Sequence, residues 1–146
     1  MKFIVILFIS TCGLVSWSDA GDAGDAHVLS HQEALLGVAQ LSGFFDRTIS
    51  SEYTLDEITY LLSSYGITIN VLKIWKNDTF TEQDMARTIG QIHILHRGEA
   101  QKQYASIRLP DHYKNWIEFC DIHGLDYQLI YRSLTKIFYD KKVVVN

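Results

Sequence analysis

The chain is poor in the residues that announce most chemistries. It has one proline, two cysteines and two methionines in 146 residues. With proline so scarce and tyrosine abundant, it reads as an ordered globular protein and not a disordered tail. Positive charge is also short: 13 basic residues stand against 17 acidic ones, a formal charge of −4. That balance argues against nucleic acid and against anionic membrane surfaces, both of which need basic patches. There is no G-x-S-x-G elbow, no P-loop, no G-x-G-x-x-G and no HExxH. None of the short motifs that mark hydrolases, nucleotide binders or zinc proteases is present, and the sequence reads as a non-enzyme. Paired acids such as Asp56-Glu57 suit the positive end of a helix better than acid–base catalysis.

What is present begins at the N-terminus. Lys2 precedes an apolar run from Phe3 to Val15, followed by small residues at Ser16, Ser18 and Ala20. A charged start, an apolar middle and a small-residue cleavage site make a secretory signal peptide, read here as residues 1–20. The run is shorter than the ~20 residues of a membrane span. The expected mature protein is therefore secreted and extracellular, with no membrane span after signal removal. Losing residues 1–20 takes away Lys2 and Asp19, so the charge stays −4.

Removal of the signal also takes Cys12 and leaves Cys120 alone, which excludes an internal disulfide. Small secreted domains often depend on such staples; this one must depend on its core. Cys120 has two readings. One is an intermolecular disulfide. The other is a buried thiol, since Trp116-Ile117-Glu118-Phe119-Cys120 is an apolar helical stretch and free cysteine is usually buried. Asn77-Asp78-Thr79 is the one N-x-[ST] sequon, so Asn77 is a glycosylation candidate on a surface turn.

Residues 21–29, opening with Gly21-Asp22-Ala23-Gly24-Asp25-Ala26, read as a flexible leader. Residues 30–142 read as a single helical domain and 143–146 as a tail. Ser30 and Glu33 form a capping box that starts a helix with Leu35, Leu36, Val38, Ala39, Leu41 and Phe45 on its apolar face. Thr54 and Glu57 form a second box, opening a helix through Ile58, Leu61, Leu62 and Tyr65 that stops at Gly66. Thr81 to Asp84 starts a third through Met85, Ile89 and Ile92, ending near Gly98. Pro110 suits the first turn of a fourth, carrying Tyr113, Trp116, Ile117 and Cys120 and ending at Gly124. A fifth runs from about Asp126 through Phe138, with Lys136, Lys141 and Lys142 favourably placed at its negative end. Ile67 to Trp75 is β-branched and fits a strand or a short helix; the lack of a partner strand favours helix. Glu99 to Leu109 either continues the third helix or forms a short one. The fold class is all-α, a compact bundle of about five to seven helices.

One stretch resembles the EF-hand family. From Asp46 to Glu57 it reads as a twelve-residue calcium loop. Asp46 falls at position 1, Thr48, Ser50 and Glu52 at positions 3, 5 and 7, Tyr53 at the apolar position 8 and Glu57 at the bidentate position 12. The resemblance covers residues 35–66 and implies a helix-loop-helix with calcium as its metal. The loop departs from the family at position 6, where Ser51 replaces the glycine of the sharp turn, and at positions 3 and 5, where hydroxyls replace carboxylates. These departures imply a degenerate hand with little or no calcium binding. Thr54 and Glu57 are explained by the capping box without a metal. Phe80 to Met85 looks like the end of a second loop, but Lys73, Trp75 and Asn77 hold its earlier ligand positions.

Histidine spacing offers a transition-metal alternative: His27 and His31, His93 and His96, and Cys120 with His123 all fall one helical turn apart. The many aromatic residues either fill the core or line a cavity for an apolar ligand. The reading these features favour is a secreted, non-enzymatic helical protein that acts by binding an extracellular protein. Exposed isoleucine, tyrosine and tryptophan on helix faces would make the contact. The alternatives are a secreted carrier of a small hydrophobic ligand and a weak calcium-binding module.

Overall fold

The computed structural model describes residues 28–42, 53–98 and 105–145, with side chains left undescribed at 41–42 and 142–145. Among them are six helices and no strand, so the chain is all-α. The helices are α1 (His31–Ser42), α2 (Leu55–Ser64), α3 (Val71–Trp75), α4 (Glu82–His96), α5 (Trp116–Ile122) and α6 (Tyr127–Val145). Helix α4 is the centre of the bundle. Met85, Ala86, Ile89, Ile92 and Ile94 are all buried on it, and α5 and α6 pack against it. Helix α1 packs on α2, α3 and α6, burying Ala34, Leu35, Val38 and Ala39. Ile58 and Leu62, one turn apart, form the buried stripe of α2.

The starts of the helices follow local chemistry. Ser30 N–H donates to Glu33 Oε2 at 3.0 Å while Ser30 Oγ accepts the Glu33 N–H at 3.3 Å, the capping box expected for α1. Thr54 and Glu57 make the same reciprocal pair at α2. Thr81 and Asp84 make a third box at α4, with Asp84 in the role usually taken by Glu. Burial pushes the Asp84 carboxyl up. That effect is outweighed by the Thr81 N–H and hydroxyl and by the charges of Arg87 and Lys73, so its pKa lies below the ordinary aspartate value. A depressed pKa stabilises the fold above the unfolded value, about 4, and that contribution is lost as pH falls through the folded value. The melting midpoint should therefore drop on acidification below about pH 4, and Asp84→Asn should flatten that part of the profile. An unchanged acid limb in the variant would contradict this role.

Helix ends are equally regular. At the end of α2 the Gly66 N–H donates to the Ser63 carbonyl at 3.0 Å and the Ile67 N–H to the Leu62 carbonyl at 3.1 Å. This is a Schellman motif, and its apolar pair, Ile67 on Leu62, is fully buried. Gly66 supplies the left-handed residue with φ +89°. Helix α5 closes the same way at Gly124, where Leu125 N–H reaches the Cys120 carbonyl at 2.8 Å.

Three expectations are corrected. Pro110 does not begin a helix: residues 110–115 are turn and bend, and α5 starts at Trp116 behind Asn115. Asn115 Oδ1 accepts the Glu118 N–H at 2.9 Å, satisfying an orphan donor of the first turn, and Glu118 Oε2 accepts the Lys114 N–H at 2.6 Å; proline offers no such acceptor. Ile67 to Trp75 is neither one strand nor one helix. It has no regular secondary structure up to Asn70, whose Oδ1 accepts the Lys73 N–H at 3.1 Å and so opens α3. Helix α6 runs on through Val143 and Val144 to Val145, past the point where a tail was expected to begin. Of Glu99 to Leu109, residues 99–104 lie outside the described residues and 106–109 have no regular secondary structure.

Two polar joints tie the non-helical segments to the bundle. The first is Gln91, buried on α4. Its Oε1 accepts the Thr68 N–H at 2.9 Å, and its Nε2 donates to Thr68 Oγ1 at 2.6 Å and to the Ile107 carbonyl at 2.9 Å. Ile107 N–H in turn donates to the Gly66 carbonyl at 2.8 Å. The second joint is at the start of α1. Phe80 N–H donates to the Leu29 carbonyl at 2.7 Å, His31 N–H to the Asp78 carbonyl at 2.8 Å, and Tyr131 Oη to the Phe80 carbonyl at 3.0 Å. Ser30 and Thr79 thereby form an isolated antiparallel bridge.

Candidate functional site

Asp46, Thr48, Ser50 and Glu52 of the calcium-loop reading lie outside the described residues, and so do His27 and the signal segment 1–20. Glu57 is described. Its Oε2 accepts the Thr54 N–H at 2.7 Å and the Thr54 hydroxyl at 3.0 Å, and these bonds hold its pKa below the ordinary glutamate value. The carboxylate oxygen a bidentate ligand would turn to a metal is thus already engaged in the helix cap. Among the described residues, no three His, Cys, Asp or Glu side chains are grouped as metal ligands.

His31, Cys120 and His123 are each engaged with a different partner. His31 is buried: its Nδ1–H donates to the Asp78 carbonyl at 2.8 Å, and its ring stands edge-on to Phe80. Cys120 is fully buried and its thiol donates to the Ala86 carbonyl at 3.3 Å. Burial, aided by the Asp121 charge, pushes the thiol pKa up to about 12. The thiolate needed for nucleophilic attack or disulfide exchange is therefore suppressed. A bridge from Cys120 to a second chain requires local opening of the core. The native thiol should resist an aromatic disulfide reagent at pH 8 and react within seconds once unfolded; fast native labelling would contradict its burial. His123 points elsewhere, sharing a hydrogen bond of 2.9 Å between its Nε2 and the Tyr113 hydroxyl. It joins an aromatic cluster in which its ring lies 4.3 Å from that of Phe119 and 5.2 Å from that of His93.

A small cleft opens between α1, α3 and α4. It is lined by Leu35, Val38, Ile69, Ile74, Phe80 and Arg87 among others and has about 30 Å³ of free volume. That is room for about two waters. The aromatic residues near α5 pack on one another instead of framing a space: Phe119 meets the edges of Trp116 and Tyr113 at 5.6 and 5.0 Å. Gly90 makes room for this packing, since a Cβ there would stand 2.5 Å from the Trp116 ring.

The surface is different. Helix α3 buries only Ile74, while Val71, Leu72 and Trp75 are 64%, 56% and 78% exposed. Val71 and Trp75 are one turn apart, with Leu72 between them, so the three form one apolar face. Asn77 lies two residues beyond Trp75, exposed and in the left-handed region with φ +53°. We find no family model that matches the chain, and no curated protein or solved structure matches it either. The site therefore rests on these residues alone. Asn77 was legible in the sequence as a sequon. Val71 and Leu72 were not, because the stretch from Ile67 to Trp75 fits a strand or a helix and so does not fix which side chains face out.

Proposed function

We propose that the chain is a secreted, non-enzymatic helical protein that acts by binding another protein outside the cell, with little or no calcium binding. The observation that supports this most is the open apolar face of Val71, Leu72 and Trp75 on α3. Contiguous exposed apolar side chains are unfavourable in water by about 25 cal/mol per Å² and mark contact surfaces on many proteins. Tryptophan is also among the residues that most often dominate interface energies. The cleft of about 30 Å³ weighs against the carrier alternative, because ligand sites occupy several hundred Å³. The helix-capping role of the Glu57 carboxylate weighs in the same direction against calcium.

Two measurements test the reading. Protein recovered from the extracellular medium is run on gel filtration in its native fluid. The wild type should elute with a larger assembly, and the double variant Leu72→Ser, Trp75→Ser should elute as the free chain. Identical elution of the two overturns the assignment of the face. Melts in excess calcium and in chelator should superimpose; a calcium-dependent rise of several degrees would show binding to the folded state and restore the loop from Asp46 to Glu57 as a working site.

A further inference from the structure

Helix α3 ends in a Schellman motif built without glycine. Asn77 N–H donates to the Ile74 carbonyl at 3.0 Å and Asp78 N–H to the Lys73 carbonyl at 2.9 Å. Asn77 takes the left-handed place that Gly66 and Gly124 take elsewhere. The turn keeps Asn77 at the same end of α3 as Trp75. Asn77 Oδ1 accepts the Gln32 N–H at 3.4 Å, which fixes the amide against the start of α1. Among the described residues Nδ2 donates to nothing, and Asn77, Asp78 and Thr79 are all exposed. The acceptor tripeptide thus sits two residues beyond a 78% exposed indole. One face of an N-acetylglucosamine ring is lined with C–H groups, and an indole face is its natural apolar and electrostatic complement.

We propose that Asn77 carries an N-linked glycan and that its first N-acetylglucosamine lies on the Trp75 ring. This inference rests on the secreted reading and deepens it. The sugar covers one face of the Trp75 ring and leaves its other face, together with Val71 and Leu72, to the partner. The donor is a lipid-pyrophosphate oligosaccharide of the secretory pathway. C1 of its reducing-end sugar breaks its bond to the pyrophosphate oxygen and bonds to Asn77 Nδ2. The lipid pyrophosphate leaves with the electron pair of the broken bond, and Nδ2 yields one proton to a base of the transferase; nothing is oxidised or reduced.

The test expresses the full chain in eukaryotic cells with its own leader and, in parallel, behind a foreign secretory leader. Peptide-N-glycosidase should lower the apparent mass of the secreted wild type and leave Thr79→Ala unchanged. Thr79→Ala is preferred because it blocks the sequon while keeping Asn77 in its turn. Trimming the glycan to one N-acetylglucosamine should preserve the melting midpoint. The unglycosylated Thr79→Ala protein should melt a few degrees lower, and that difference should vanish when Trp75→Ala is added to both forms. Absence of glycan under either leader overturns the proposal and leaves the secreted reading standing. A glycan whose stabilisation survives Trp75→Ala overturns the stacking. Retention inside the cell with the native leader, alongside glycosylation behind the foreign one, overturns the secreted reading and with it the glycan on the natural protein.

Discussion

Replacing Gln91 with alanine is expected to destabilise the protein by about 3 kcal/mol, the sum of unmet hydrogen bonds and a cavity. Gln91 is buried at the centre of α4 and satisfies one donor and two acceptors on two separate segments. Removing it strands the Thr68 N–H and the Ile107 carbonyl, each of which costs about 1–3 kcal/mol when buried without a partner. Thr68 is only partly buried, so water recovers part of its loss. Gln91→Glu provides the sharper comparison, because it keeps the acceptor for Thr68 and removes the donor to Ile107. Urea denaturation should show the alanine variant with the lower midpoint and an unchanged slope. A loss under about 1 kcal/mol would mean that water replaces the joint without difficulty.

Gly66→Ala should be nearly as damaging, by about 2–4 kcal/mol, from two separate causes. At φ +89° any L side chain is strained. The new Cβ would also stand 2.7 Å from the Ala105 carbonyl oxygen, a backbone atom that cannot turn aside as a flexible side chain can. The contrast is Gly37→Ala, where the clash at 2.6 Å falls on the end of the Leu134 side chain, which can shift, and helix propensity offsets part of the strain. Gly37→Ala should therefore be clearly milder, and equal losses at the two sites would contradict the backbone argument. Because Gly66 and Gln91 hold the same two segments, their effects should not add.

Where local chemistry decides structure, the sequence was legible. Ser30 with Glu33, Thr54 with Glu57, and Gly66 and Gly124 mark helix ends because the groups that satisfy those ends lie within three residues of them. Cys120 was legible as a core residue from its apolar neighbours. Legibility fails where a distant residue decides. Ile67 to Asn70 stays non-helical with Gln91, far along the chain, holding the Thr68 N–H and hydroxyl. Gln91 itself, a polar residue on an amphipathic helix, looks like surface until the segments it joins are placed. Pro110 fits a helix start in isolation and loses to Asn115, whose side chain caps α5 directly. The α3 face shows the same limit from the other side. The β-branched stretch did not say which of its apolar residues are buried; the bundle buries Ile74 and leaves Val71, Leu72 and Trp75 exposed.

If α3 is a contact face, a photo-crosslinking amino acid at Leu72 should capture the partner. The same group at Gln128, an exposed position on α6, is the control. On illumination in extracellular fluid, position 72 should give a discrete adduct of higher mass that disappears with Trp75→Ser, and position 128 should give none. No adduct at 72, or equal adducts at both positions, would contradict the account.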